Sequence, residues 1–204
     1  VRHASGDATF GFSSLMEATA MEPRPVAVVI GDSRRLVEAI VRSLAGSHDV
    51  RVAGDAAAAC PPGRPWTELD RVPAGVEILV HCADVYADGP LRETSAQAWR
   101  ELYQANLFGF AELAHRLLPA LRAARGHIIV VESARITDSP VNRAAYVGSR
   151  AALSVLTEAL RDEEEGHGVR VTVIDPAEDP AAGAPIPDRA ESIAGAVRSV
   201  TSLR

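Results

Sequence analysis

Tyr146 and Arg150 stand four residues apart in a segment of helical periodicity, which places a phenol and a guanidinium on one helix face. Such a pair can move a proton. A phenol, with a pKa of ~10, is a poor base at neutral pH unless a neighbouring cation favours its charged form. Ser133 precedes the tyrosine by thirteen residues and offers a hydroxyl, and Asn106 lies twenty-seven residues before Ser133. Asn106 is one of two asparagines in the chain, and an asparagine inside a helix is mildly unfavourable unless its amide has a partner. These four residues are the candidate catalytic set. Lysine is absent, so all 21 basic residues are arginine, and Schiff-base chemistry or a phosphate-loop lysine is excluded. His81, His127 and Cys82 lack metal-ligand spacing and read as packing residues, so no metal site is expected.

The elements that must position these groups follow from apolar patterning. Val26–Ile30 is a continuous apolar run, the pattern of a strand buried on both faces. Gly31, Asp32 and Ser33 turn the chain into a helix with Leu36, Val37, Ile40, Val41 and Leu44 on one face. Further strands are predicted at Val50–Ala53, Val76–His81, His127–Val131 and Val169–Ile174. A long amphipathic helix should run from Ser95 or Ala96 through Leu118, with a break at Pro119. Asn142–Glu163 should be helical, with Asp162–Glu165 as a solvated helix end. Ala177–Pro187 reads as a loop, and Asp188 as the N-cap of a final helix through Val200. Residues 1–25 read as an arm before a single domain at 26–204. Apolar strands alternating with helices define an α/β domain with a parallel sheet. Ligands of such sheets bind outside the carboxyl ends of the strands.

Composition narrows the function classes. The 204 residues carry a formal charge of −6, and a nucleic-acid-binding domain should be basic or show a basic stripe. No apolar run approaches the ~18 residues of a membrane span. Cys60 and Cys82 cannot form a disulfide framework, so a reducing cytoplasm is the expected compartment.

Tyr146-Val-Gly-Ser-Arg150 resembles the Tyr-x-x-x-Lys motif of the short-chain dehydrogenase/reductases, with arginine for lysine. Ser133 and Asn106 fall at that family's usual spacings, and His81-Cys-Ala-Asp84 sits where the family writes Asn-Asn-Ala-Gly. Trp99, Asn106-Leu-Phe-Gly109, Leu118-Pro119 and Gly126-His-Ile-Ile are similar to the pattern leading into the serine strand. The resemblance is dense from about Ile78 to Pro176. It implies a Rossmann-like, doubly wound parallel sheet. It also implies proton exchange between tyrosine and a carbonyl or alcohol, with serine polarising the same oxygen and asparagine holding a relay water. The implied cofactor is NADP or NAD, contacted by Gly31, Ser33, Arg34 and Asp55 after the first two strands. His81 and Ala83 after the third strand, Arg150, and Pro176 after the fifth complete that implied set. Arg34 matches a position where NADP-preferring members are basic, and Asp55 the acid that NAD-preferring members use.

Several positions depart from the family. In the phosphate loop only Gly31 survives of three glycines, with Arg35 and Val37 in the other places. Arginine at 150 supplies a charge but cannot give up a proton, so no relay runs through it. The fold is expected to be shortened, without the family's third and last strands and most of its substrate lid. The leading expectation is an NAD(P)-linked oxidoreductase acting on a small carbonyl or alcohol. The alternatives are a binding or scaffold subunit that has lost the cofactor, and a redox-free acid–base enzyme. A homodimer, or a heterodimer with a related chain, is expected because Leu102, Leu113, Leu117, Leu153, Leu156 and Leu160 would leave more apolar surface than a normal monomer patch once one face covers the sheet.

Overall fold

The computed structural model describes residues 24–53, 72, 74–132, 141, 143–176 and 189–203. Five parallel strands lie in the order β2-β1-β3-β4-β5, with β1 at Val26–Ile30, β2 at Asp49–Ala53, β3 at Val76–His81, β4 at His127–Val131 and β5 at Arg170–Ile174. The helices are α1 (Arg34–Leu44), α2 (Ala96–Tyr103), α3 (Gly109–Ala124), α4 (Ala144–Glu165) and α5 (Ala190–Ser202). Side chains alternate across each strand, so β1 feeds two cores. Val26, Val28 and Ile30 join Leu113, Leu117, Leu121, Leu153 and Leu160 on the α3/α4 side. Ala27 and Val29 join Leu36, Val37, Ile40, Ile193 and Val197 on the α1/α5 side. Helices on both faces of a parallel sheet make the fold Rossmann-like and doubly wound.

The β1–β3 register shifts between Val26 and Ala27, where Glu77 is the extra residue, and this resets the alternation of β3. Val76 and Leu79 then face the α3/α4 core, whereas Ile78, Val80 and Cys82 face α1 and α5. The same bulge brings the Glu77 carbonyl against Gly126, where an added Cβ would lie 2.5 Å from that oxygen. Glycine is required there by space.

The helix expected to break at Pro119 runs on to Ala124. Proline removes one backbone hydrogen bond, but Leu117 and Leu121, both fully buried, anchor the turns on either side. The irregularity instead falls at Gln104–Phe108, a π-turn between α2 and α3 that contains Asn106. The end of α4 is also less solvated than its acidic run suggests. Glu164 is buried, because Arg122 of α3 donates two hydrogen bonds to it at 2.8 and 2.6 Å. The leucines expected to form an exposed patch are core residues: only Leu156 is partly exposed. Phe108 and Val155 are the apolar residues that these helices expose instead. The N-cap position of α5 is Arg189, whose side chain makes no capping bond, and Asp188, the loop at 177–187 and most of residues 1–25 lie outside the described residues. No helix among the described residues is long and apolar enough to cross a membrane.

Candidate active site

The carboxyl ends of β1, β3 and β4 open onto a cleft of about 260 Å³, lined by Asp32, Ser33, Leu36, Cys82, Asp84, Tyr86, Val131, Glu132, Pro176 and Ile193. Each lining residue follows or ends a strand, or starts a helix, as the sheet topology requires. Three of them are carboxylic acids. Burial raises the pKa of Asp32 above the usual carboxylate value, against the hydrogen bond it accepts at 2.9 Å from the Asp84 backbone N–H.

Behind this wall lies the first turn of α4. Tyr146 is fully buried, and its hydroxyl donates to Asp84 Oδ1 at 2.7 Å. The Tyr86 ring, which lines the cleft, stands edge-on to the Tyr146 ring at 4.9 Å between centroids. Arg150, one turn further along α4, is 1% exposed. Its Nη1 donates to Ala83 O at 2.9 Å and its Nη2 to Val131 O at 3.2 Å, tying the ends of β3 and β4 together. Its Nε lies 3.8 Å from Asp84 Oδ1 and has no hydrogen-bond partner. A fixed positive charge therefore sits beside the phenol–carboxylate pair.

Asn106 holds this arrangement in place. Its Oδ1 accepts from Val85 N–H and its Nδ2 donates to Val85 O, each at 2.9 Å. The same Nδ2 donates to Ser149 Oγ at 3.0 Å, and that hydroxyl donates to Tyr146 O at 2.7 Å. One buried amide thus fastens the segment that follows Asp84 to the turn that carries Tyr146. A fully buried amide with these partners is the use that makes its place in the π-turn favourable.

The structure therefore brings Tyr146, Arg150 and Asn106 together, while Ser133 and Asp55 lie outside the described residues. Of the other expected contacts, Ser33 and Pro176 line the cleft, and Ala83 offers its carbonyl to Arg150. Arg34 instead pairs with Glu38 at 2.8 Å on the exposed side of α1. His81 is fully buried against Phe110 and does not line the cleft. Two site residues escaped the spacing argument. Asp84 and Ser149 could have been found as the third residue after β3 and as the residue one turn from Tyr146, but no local pattern marks their partners.

The residues present fit a dinucleotide at one end of the cleft only. Helix α1 begins there at Ser33 with no side-chain capping bond and no acidic residue in its first turn, and the positive end of its dipole is where a phosphate would be held. Gly31 serves packing: an added Cβ would meet Cys82 Sγ at 2.5 Å and Val37 Cγ2 at 2.9 Å. At the other end the Tyr146 hydroxyl is committed to Asp84, and the terminal nitrogens of Arg150 to two carbonyls. A ribose does not fit against those two residues while Asp84 holds this position. No group of three histidine, cysteine, aspartate or glutamate side chains among the described residues could hold a metal ion.

A parallel sheet with helices on both faces and its cleft at the carboxyl edge is a Rossmann-type fold. The sequence profile of the short chain dehydrogenases matches residues 67–178, more than half of the chain. The chain belongs to that family. It is 40% identical over 84 residues to a mouse (Mus musculus) L-fucose dehydrogenase, a match covering 41% of this chain and 31% of the relative. The matched part is thus about a third of the length of such curated relatives. An NADP complex of a short chain dehydrogenase from Burkholderia cenocepacia superposes with a TM-score of 0.66 at 22% identity, covering 86% of this chain and 84% of that one. A Brucella ovis oxidoreductase of the family, with a partially ordered NAD, gives 0.63 at 22% identity over 87% and 93%. At such identities the likeness is one of fold.

Proposed function

We propose that this protein is an NAD(P)-linked oxidoreductase that interconverts a small carbonyl and an alcohol, with Tyr146 as the group that exchanges the substrate proton. The observation that carries this reading is the Tyr146–Arg150 pair, held behind a cleft at the carboxyl ends of β1, β3 and β4. The nicotinamide would supply or accept the hydride. Tyr146 would give its proton to the developing alkoxide in reduction and take it back in oxidation. Arg150 stabilises the negative charge that appears on the phenol but passes no proton onward. Asn106 and Ser149 keep the tyrosine turn and the β3 exit at fixed separation. Family resemblance assigns Ser133 the second hydrogen bond to the substrate oxygen.

Dinucleotide affinity is expected to be weak, with a Kd of ~0.1–1 mM, because Asp32, Asp84 and Glu132 face the incoming phosphates and only one loop glycine remains. Such a ligand at 1 mM stabilises the fold by roughly 0.4–1.4 kcal/mol. The test is NAD(P)H oxidation against a panel of ketones and quinones, beside Tyr146→Phe. A rate that Tyr146→Phe lowers by ~10²–10⁴ supports the assignment, and a rate it leaves unchanged overturns it.

One observation favours a second reading. With Asp84 on the tyrosine, the same residues form a cofactor-free acid–base pair or a site kept only for binding. Complete insensitivity of the thermal midpoint to NADH and NADPH at millimolar concentration selects that reading. Assembly is also part of the proposal: Phe108 and Val155 give a second copy or a related chain an apolar surface to cover, and light scattering at tens of micromolar tests it.

A further inference from the structure

We infer that the Asp84 side chain is a latch that shuts the Tyr146 end of the cleft, so that the nicotinamide half of a dinucleotide enters only when this carboxylate turns away. The inference rests on the reading of the cleft as the dinucleotide site, made under the proposed function. It concerns binding alone, and no step of a reaction enters it.

Space is the first observation. The cleft holds about 260 Å³, below the ~300–1,000 Å³ of pockets that enclose drug-sized ligands, so a whole dinucleotide needs room beyond it. At the Tyr146 end the wall is built by Asp84 and Tyr86, and both touch the buried tyrosine behind them. The Asp84 carboxylate is seated there. It accepts the Tyr146 hydroxyl proton at 2.7 Å, and the same oxygen lies 3.8 Å from Arg150 Nε. A hydrogen bond to a carboxylate is roughly twice as strong as one between neutral groups.

The backbone that carries the latch is fixed on both sides. The Asp84 N–H donates to Asp32 Oδ1 at 2.9 Å, and Asn106 holds the N–H and the carbonyl of Val85, each at 2.9 Å. Opening this end therefore means rotating one side chain, not moving a loop. The rotation breaks the bond to Tyr146 and draws a carboxylate away from Arg150. A ligand that needs the space binds only the fraction of molecules in which Asp84 has turned, and its apparent Kd rises by that factor. A ligand that ends at the phosphates is indifferent to the latch. The missing loop glycines and Asp32 lie at the α1 end and weaken both kinds of ligand, whereas Asp84 discriminates between them.

Calorimetric titration of the full chain with ADP, NADH and NADPH tests this in wild type, Asp84→Gly, Asp84→Ala and Asp84→Asn. The two truncations should bind the better of NADH and NADPH at least about tenfold more tightly than wild type, the value of one added hydrogen bond. Their affinity for ADP should change by less than about threefold, the effect of one screened charge. Asp84→Asn keeps the volume of the side chain and should gain less than either truncation. Two variants of different size keep the test open if one of them does not fold. An ADP affinity that rises by the same factor as that for the dinucleotide shows relieved repulsion and overturns the latch. So does an equal gain in Asp84→Asn, or an unchanged dinucleotide affinity in both truncations. Those three results leave the cleft as the nucleotide site. Absence of binding by all three ligands, in wild type and every variant, overturns that reading and the latch together.

Discussion

Acid should unfold this protein from inside β3. His81 ends that strand fully buried, its ring 4.9 Å from that of Phe110, and neither ring nitrogen has a hydrogen-bond partner. Burial, with the charge of Arg150 adding to it, pushes its pKa down to about 3 from the ordinary 6.5. Between those two values the unfolded chain binds a proton that the folded chain refuses. The stability at stake is fully present above pH 6.5 and is lost as pH falls toward 3. At 1.36 kcal/mol per unit the whole interval is worth at most ~5 kcal/mol, and the step from pH 7 to pH 5 removes about 2 kcal/mol. His127 contributes a second slope over a shorter interval, because burial and then Arg170 push it down to about 4. Urea melts at half-unit steps from pH 7 to pH 5 in wild type and His81→Asn separate the two. The variant, whatever its stability at pH 7, should lose about 2 kcal/mol less over that interval. Parallel stability curves would refute the reasoning, since they would mean that the folded protein accommodates a charged His81.

Three further outcomes follow from packing and buried hydrogen bonding. Gly126→Ala should lower stability by ~1–3 kcal/mol in a urea melt, because its Cβ would press on the Glu77 backbone, whereas Gly46→Ala, with open space around it, should be near neutral. Leu117→Ala removes a fully buried side chain between α3 and the sheet and should cost ~2–5 kcal/mol by the same assay. Arg150→Lys should cost ~1–3 kcal/mol, because one ammonium cannot reproduce the fork that serves Ala83 O and Val131 O. A variant as stable as wild type would show those carbonyls finding other donors.

Local information accounts for much of what was legible in the chain. Val26–Ile30 and His127–Val131 announce doubly buried strands because a continuous apolar run satisfies both faces of a parallel sheet. Tyr146 and Arg150 share a face because a helix repeats every 3.6 residues, whatever lies around it. That the group at position 150 can carry charge but not release a proton was readable too, since it follows from guanidinium chemistry alone. Burial and distant pairing were not readable in that way. Pro119 leaves the helix unbroken because Leu117 and Leu121 are held by the core, and Glu164 turns inward because α3 presents Arg122 to it. The leucines of α2, α3 and α4 looked like too many for one sheet face until the sheet and its neighbouring helices absorbed all but Leu156. Asp84 and Tyr146 are 62 residues apart, and no periodicity links them. The parallel order β1-β3-β4 sets the exit of β3 beside the first turn of α4, and Asn106 fixes the distance between them. Residue type and spacing determined which groups could do chemistry, because those depend on bonds and helix geometry near each residue. Which carboxylate meets the phenol was decided only by the tertiary structure, because a hydrogen bond across the fold depends on how the sheet stacks its strand ends.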